Sequence, residues 1–517
     1  MAVFEPRIRD IELRDLTITQ QLFEGLDARG DAIAIIDGPS GDSLSGYGLK
    51  DRIQRLAGGL TARGMAPGKV VAILAPNVPD YAVSFHGIAY AGSTVTTMNP
   101  SYTVPEVHHQ LLDCAAVAMI TVPALVPLAK EAIEGTSVSE IIVIGETFED
   151  YLGDPLQDQA PVDLDDFNVV LPYSSGTTGR PKGVMLTHRN IATNVDQANA
   201  TNPVRQDDTA IAFLPFFHIY GMTVLMNMFL ARASCIVTMP RFDLEQFLGL
   251  IEKHRATRLY IVPPVALALA KHPMVEDFDV SSVKVIFSGA APLGPETEEL
   301  VGARMGATSI QGYGMTEMSP ISHATWHDAT RHGSSGQAVP GTFCRIVDPG
   351  SGADMEAGEE GELWVKGPQV MKGYLGRPDA TAASLTEDGW LKTGDLAVID
   401  EDGFMFIRDR LKELIKYKGF QVAPAEVEEA LIGHASVVDA AVIGRPDEDA
   451  GELPIAFVVA APGAEISEAV LAAHCEDCLA RYKQPTEYRF VDAIPKSASG
   501  KILRRFLRDE LKAEMSA

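Results

Sequence analysis

Residues Ser174 to Val184 read SSGTTGRPKGV and crowd hydroxyls, glycines and one lysine into a stretch that a packed interior could not use. Ser174, Ser175, Thr177 and Thr178 offer hydroxyls, Gly176 and Gly179 let a ligand approach the backbone, and Lys182 adds a positive charge. That combination suits phosphate oxygens, which backbone N–H groups and an ammonium can cradle together. The segment follows the strand-like VVLPY and precedes VMLTH, so it is a loop at a strand end, where α/β sheets usually hold ligands. A flexible surface loop could have the same composition. The Walker pattern GxxxxGK[ST] does not fit, because Pro181 precedes Lys182 and Gly183 follows it, so the chain does not belong with P-loop ATPases.

Such a loop needs a sheet behind it. Apolar runs VVAIL (70–74), SEIIVIG (139–145), ASCIVTM (233–239), TRLYIVP (257–263) and VKVIFSG (283–289) alternate with helix-compatible stretches at 49–64 and 244–254. The alternation predicts α/β layering with largely parallel sheets. From about 330 to 410 short strands separated by Gly, Pro and Asp turns predict a β-rich subdomain. A smaller pattern follows: a helix at APAEVEEALIGH, strands at VVDAAVIG and PIAFVVA, another helix and a lysine-bearing tail. The expected architecture is a large N-terminal α/β domain over 1–408, a hinge at 409–412 and a small mobile α+β domain over 413–517.

With 517 residues, 46% hydrophobic and 22% charged, the chain can bury a large core in at least two domains. The net charge of −27 works against general attraction to nucleic acid or an anionic membrane, so a bound anion must find a locally positive site. MAVFEPRIRDIELRD lacks the apolar core of a signal peptide and no apolar run approaches a spanning helix, so a cytoplasmic protein is expected. The cysteines (114, 235, 344, 475, 478) are few, odd in number and scattered, which disfavours a disulfide framework. HCEDC (474–478) has a CxxC spacing but lacks a second ligand pair, so ordinary helix-face residues are the simpler reading.

Five further segments accompany the loop: FFHIYGM (216–222), QGYGMTE (311–317), GWLKTGD (389–395), DRLKELIKYKGFQVAP (409–424) and PKSASGKILRR (495–505). In this order, over essentially the whole chain, they resemble the adenylate-forming superfamily of acyl-CoA synthetases, luciferases and peptide-synthetase adenylation domains. The nearest likeness is to the 4-coumarate–CoA ligase-like branch. The resemblance implies ATP, Mg²⁺ and CoA, adenylation of a carboxylic acid, then acyl transfer to the thiol.

It also implies roles for individual residues. Glu317 would take Mg²⁺, a hard ion that prefers oxygen, and Thr316 would hydrogen-bond a phosphate. Asp395 would clamp the ribose hydroxyls with Arg410, and Tyr313, Ala290 and the backbone of Gln311 and Gly312 would form the adenine slot. Lys501 would bridge the substrate carboxylate and the α-phosphate, with Lys416 and Gln421 in support. The small domain would then rotate about Lys412, turning Lys418 and Gly419 toward CoA, with Arg241 near its nucleotide phosphates. Each residue also has a plainer structural reading: a solvated carboxylate for Glu317, a turn cap for Asp395, core packing for Tyr313 and His218, a basic tail for Lys501.

His218 matches a histidine guarding the acyl pocket, whose remaining walls map to Tyr220, Val224, Phe287, Gly312, Gly314, Pro320 and Ile321. FFHIYGM holds no acidic residue to pair an α-ammonium, which disfavours an amino acid substrate. A flat aromatic or cinnamate-like acid suits the slot, with Tyr220 available to a ring substituent. Gly221-Met222 and Met318-Ser319 depart from the plant pattern and keep medium-chain fatty acids open. Transfer to an amine or a carrier protein is the alternative second step. Monomer and homodimer are both compatible with the sequence.

Overall fold

Each apolar run becomes a strand: Val70–Leu74, Glu140–Val143, Cys235–Thr238, Arg258–Ile261 and Val285–Ser288. The computed structural model describes residues 2–174, 181–418, 420–447, 449–464, 466–497 and 500–516. Among these, two large sheets form the N-terminal layers. One orders Gly373–Tyr374, Lys182–Thr187, Asn168–Ser174, Thr94–Met98, Val70–Leu74, Ala118–Thr121 and Glu140–Val143. Its central pairs are parallel, which fits the fully apolar strand Val70–Leu74, and only the hairpin Asn168–Ser174/Lys182–Thr187 and its edge strand are antiparallel.

The second sheet runs parallel through Thr209–Ala212, Arg258–Ile261, Val285–Ser288 and Thr308–Gly314 before turning antiparallel at Ile321–Ala324. Helices cover the sheets because their stripes are apolar. Leu244–His254, for example, buries Phe247, Leu248, Leu250 and Ile251 and is capped by Asp243, whose side chain accepts the Gln246 N–H. The β-rich segment forms a four-stranded antiparallel sheet ending in Met405–Arg410.

Beyond it, Ile415–Tyr417, Phe420–Val422, Val437–Asp447, Gly451–Ala460 and Glu487–Phe490 build the C-terminal sheet over separate apolar clusters. Asp409 and Arg410 still belong to the strand Met405–Arg410, so the chain leaves the N-terminal sheet at the turn that follows, where Lys412 is exposed. The two domains touch there: Asp409 Oδ2 accepts the Ala425 N–H at 3.0 Å. Burial holds the Asp409 pKa up at about 6 despite that bond and the nearby Arg504.

Candidate active site

The strands Asn168–Ser174 and Lys182–Thr187, on either side of the candidate phosphate loop, pair antiparallel. Ser174 ends one strand opposite Lys182, which begins the next, and Thr187 then caps the helix His188–Thr201 with a reciprocal Asn190 contact. Ser175, Gly176, Thr177, Thr178 and Gly179, expected to cradle phosphate, lie outside the described residues. The hairpin's two described ends converge on Glu317. Ser174 Oγ donates to Glu317 Oε1 at 3.0 Å, Tyr374 Oη donates to the same oxygen at 2.9 Å, and the Lys182 ammonium lies 4.3 Å from the Tyr374 ring centroid.

Glu317 sits in a short turn, Thr316–Met318, that links the strand Thr308–Gly314 to Ile321–Ala324, and it is 5% exposed. Its Oε2 has no donor among the described residues. A hard cation asks for such an oxygen, on a carboxylate whose other oxygen is already fixed, so these residues fit Mg²⁺.

Asp395 and Arg410 face each other across neighbouring strands, with Arg410 Nε 3.2 Å from Asp395 Oδ1. Tyr313 donates its hydroxyl to Asp395 Oδ2 at 2.5 Å. The tyrosine is thus tied to the ribose-binding candidate instead of being an isolated core ring. Gln311 braces the neighbouring loop: its Oε1 accepts the Leu293 N–H and its Nε2 donates to the Leu293 C=O, both at 2.9 Å. Ala290, in that loop, adopts φ 73°, a left-handed conformation that costs a side-chain-bearing residue strain.

Lys501 comes from the C-terminal domain, on a turn closed by Ser497 N–H to Lys501 C=O at 2.8 Å and Lys501 N–H to Ser497 Oγ at 3.1 Å. The turn packs against the N-terminal domain, where Gly500 faces Val262. Burial, and after it the Arg410 charge, lower the Lys501 pKa to about 8 against the opposing pull of the Asp395 and Glu317 carboxylates. One ammonium therefore feels Arg410, Asp395 and Glu317 together.

His218 feels it as well: burial, then the Lys501 charge, push its pKa down to about 3, so the ring is neutral. Its Nδ1 accepts the Tyr220 N–H at 3.3 Å, which leaves the proton on Nε2. The chain then enters a π-helical stretch, Gly221–Asn227, a rare form often found at functional sites. A Cβ on Gly221 would lie 2.3 Å from the Pro215 C=O, so only glycine lets the chain double back beside His218.

The acyl-pocket candidates gather on this side. Val224, Pro320 and Ile321 are buried, and Gly314 ends the strand Thr308–Gly314 beside Pro320. Phe287 stacks on Tyr260 at 5.4 Å and lies over Gly312, where a Cβ would come 2.4 Å from its Cζ. The setting of Tyr220 narrows how it could meet a ring substituent. Its hydroxyl donates to the Phe287 C=O at 3.3 Å, so it is not free to donate to a ring substituent and can only accept from one.

Other expected residues stand apart. Lys416 and Gln421 are cross-strand partners on an exposed hairpin, and Lys418 has φ 49° with its ammonium 5.3 Å from the Tyr417 ring centroid. Arg241 is exposed after the strand Cys235–Thr238. Among the described residues none of these four bonds to Glu317, Asp395 or Lys501. Gly419 lies outside the described residues. In HCEDC, Cys475 is buried in the C-terminal core, His474 Nε2 donates to the Ala430 C=O at 2.8 Å, and Cys478 donates to the His474 C=O, so the segment behaves as packed helix surface. Tyr374 was not foreseen. In the sequence it is one aromatic in MKGYLG, and only its pairing opposite Val184 gives it a place beside the phosphate hairpin.

The profile of the AMP-binding enzyme family matches residues 22–375, and that of the AMP-binding enzyme C-terminal domain matches 426–501. The chain is 40% identical to 4-coumarate–CoA ligase 5 of Oryza sativa subsp. japonica, over 100% of its own length and 98% of the relative's. It superposes on the anthranilate CoA ligase in complex with anthranoyl-AMP with a TM-score of 0.91 at 27% identity, covering 98% of this chain and 99% of that one. It also superposes on the amide bond synthetase of Marinactinospora thermotolerans with a TM-score of 0.85 at 29% identity, covering 96% and 100%. The two profiles and the relative matched over the whole chain show that the chain belongs to the AMP-binding, adenylate-forming enzyme family, in its 4-coumarate–CoA ligase-like branch.

Proposed function

We propose that this protein is an AMP-forming acid–CoA ligase whose substrate is an aromatic or cinnamate-like carboxylic acid. The observation that carries the reading is the placement of Lys501: a cation whose charge burial penalises, held where two anions would restore it. Drawing a carboxylate and an α-phosphate together needs that charge, since each unit-charge contact near 4 Å is worth about 4 kcal/mol at the effective dielectric of a protein site.

In the first step a carboxylate oxygen attacks the α-phosphorus and pyrophosphate leaves with the bridging oxygen's electrons. Lys501 holds both reacting anions, while Asp395, Arg410 and Tyr313 orient the nucleoside. Glu317 would hold Mg²⁺, which would supply neutralisation of phosphate charge. Neutral His218, with Nε2 as donor, lines the acyl side without adding a competing cation. In the second step the CoA sulfur attacks the acyl carbon, the thiol proton departs to solvent and AMP leaves. Lys501 occupies the site in the docked arrangement, so the small domain must turn away at Lys412 before the thiol enters, bringing Lys418 into play, with Arg241 on the nucleotide side of CoA.

The stacked Phe287 and Tyr260 beside glycine support a flat ring as substrate. Transfer to an amine is the second reading, favoured by the superposition on an amide bond synthetase. We place the protein in the cytoplasm as a monomer or homodimer; no described helix is long and apolar enough to cross a membrane. The test is a panel of benzoates, cinnamates and C6–C12 fatty acids, with CoA supplied, withheld or replaced by an amine. AMP, pyrophosphate and acyl product are read separately. Cinnamates should give thioester with CoA; turnover confined to fatty acids, or to amines, would overturn the proposal.

A further inference from the structure

Tyr374 fastens two groups of opposite charge. Its hydroxyl donates to Glu317 Oε1 at 2.9 Å, and the Lys182 ammonium rests 4.3 Å from its ring centroid. Its own position is fixed on three sides. The edge strand Gly373–Tyr374 pairs with Lys182–Thr187, the Leu375 N–H donates to the Gly183 C=O at 2.9 Å, and Thr381 Oγ1 accepts the Tyr374 N–H at 2.9 Å. The same segment holds the Glu317 backbone, since the Met371 N–H donates to the Glu317 C=O at 2.9 Å. Tyr374 is 6% exposed, so its phenol meets the carboxylate away from bulk water.

An ammonium and a carboxylate sharing a partly desolvated cleft attract each other strongly. Were Lys182 and Glu317 to pair directly, the phosphate-binding cation and the metal-binding anion would cancel before any nucleotide arrived. The phenol satisfies both without that collapse: its face holds the cation and its hydroxyl holds the anion. A phenylalanine would keep the first contact and lose the second.

We propose that Tyr374 is a positioning residue that sets the Glu317 carboxylate for the metal of the bound nucleotide and keeps Lys182 from neutralising it. The inference rests on the assignment of Glu317 to the cation. It implies that Tyr374 couples nucleotide affinity to Mg²⁺ and adds little to the affinity for metal-free nucleotide. The hydroxyl acts only through Glu317, so its effect must vanish when the carboxylate is gone.

Isothermal titration of the full-length protein with ATP, without acid or CoA, once with Mg²⁺ and once with EDTA, tests this. The readout is the ratio of the dissociation constants, EDTA over Mg²⁺. Tyr374→Phe should lower that ratio by about 10- to 150-fold, as expected for a lost hydrogen bond to a charged group, while the EDTA constant stays within about 2-fold. Tyr374→Leu, which also removes the ring under Lys182, should weaken ATP binding in EDTA too. In Glu317→Gln the ratio should already be low, and adding Tyr374→Phe should lower it no further. Circular dichroism melts confirm that each variant is folded at the titration temperature. A wild-type ratio in Tyr374→Phe, equal weakening with and without metal, or additivity with Glu317→Gln would overturn the inference. A wild-type ratio in Glu317→Gln would instead sink the cation assignment itself.

Discussion

Lys501 makes a prediction with a definite pH signature. In the docked turn its pKa falls from 10.5 to about 8. At about 1.4 kcal/mol per unit of pKa, the charged ammonium is roughly 3 kcal/mol worse off there than in water. A lowered lysine pKa penalises the protonated docked state. The penalty is complete below pH 8, shrinks between pH 8 and 10.5, and is gone above. Free of substrates, the enzyme therefore docks the turn most readily at alkaline pH, where Lys501 has lost the charge that adenylation uses. Bound carboxylate and α-phosphate supply negative charge and raise the pKa again.

Because kcat/KM reports the free enzyme and kcat the complex, kcat/KM for adenylation should fall above about pH 8, while kcat holds to higher pH. The assay is pyrophosphate release from ATP and acid without CoA, across pH 6.5–9.5. Lys501→Arg should lose the limb near pH 8, because a guanidinium stays protonated past pH 12. Lys501→Ala should slow adenylation by about 10²–10⁴-fold. Thioester formation from presynthesised acyl-AMP should be largely spared. A limb near pH 8 that persists in Lys501→Arg, or equal loss of both half-reactions in Lys501→Ala, would refute the reasoning.

Three other outcomes follow from the same geometry. His218, already neutral, should contribute no rising limb to the adenylation profile between pH 5 and 7; such a limb, abolished by His218→Asn, would contradict its lowered pKa. Gly312→Ala puts a methyl 2.4 Å from the Phe287 ring and should raise KM for the acid by roughly tenfold with the ATP KM nearly unchanged, as the cost of overpacking suggests, and Phe287→Leu should restore it. Arg504→Met would strip buried Glu428 of a guanidinium nitrogen lying 2.7 Å from both its carboxylate oxygens, while Glu413 keeps Arg508 at 3.1 Å, and should destabilise the C-terminal domain by about 3–5 kcal/mol in urea denaturation, with the N-terminal transition unmoved.

Much of the scaffold was legible because its strands are continuous apolar runs of the kind that only a doubly covered sheet can bury. Val70–Leu74 and Leu244–His254 come out with the bounds the periodicity set. The antiparallel turn of the second sheet at Ile321–Ala324 was not legible, since strand direction depends on the partner and not on the run itself. The hinge was read as starting at 409, but the strand pairing of Asp395 with Arg410 keeps that arginine in the N-terminal sheet, a contact between residues 15 apart whose register no local pattern reveals.

By itself the sequence determined the chemical inventory: a hydroxyl-rich loop with one lysine, carboxylates at 317 and 395, and a lysine near the C-terminus, in an order that marks the family. Only the tertiary structure decided which of them meet. It tied Tyr313 to Asp395, turned the Tyr220 hydroxyl inward to a carbonyl, left Lys416 and Gln421 on an exposed hairpin, and brought Tyr374 beneath Lys182 and against Glu317. The physical reason is one of range. Residue type fixes charge and hydrogen-bonding capacity locally, whereas pKa, partner and exposure are set within a few ångströms by neighbours that strand pairing and domain docking bring from far along the chain.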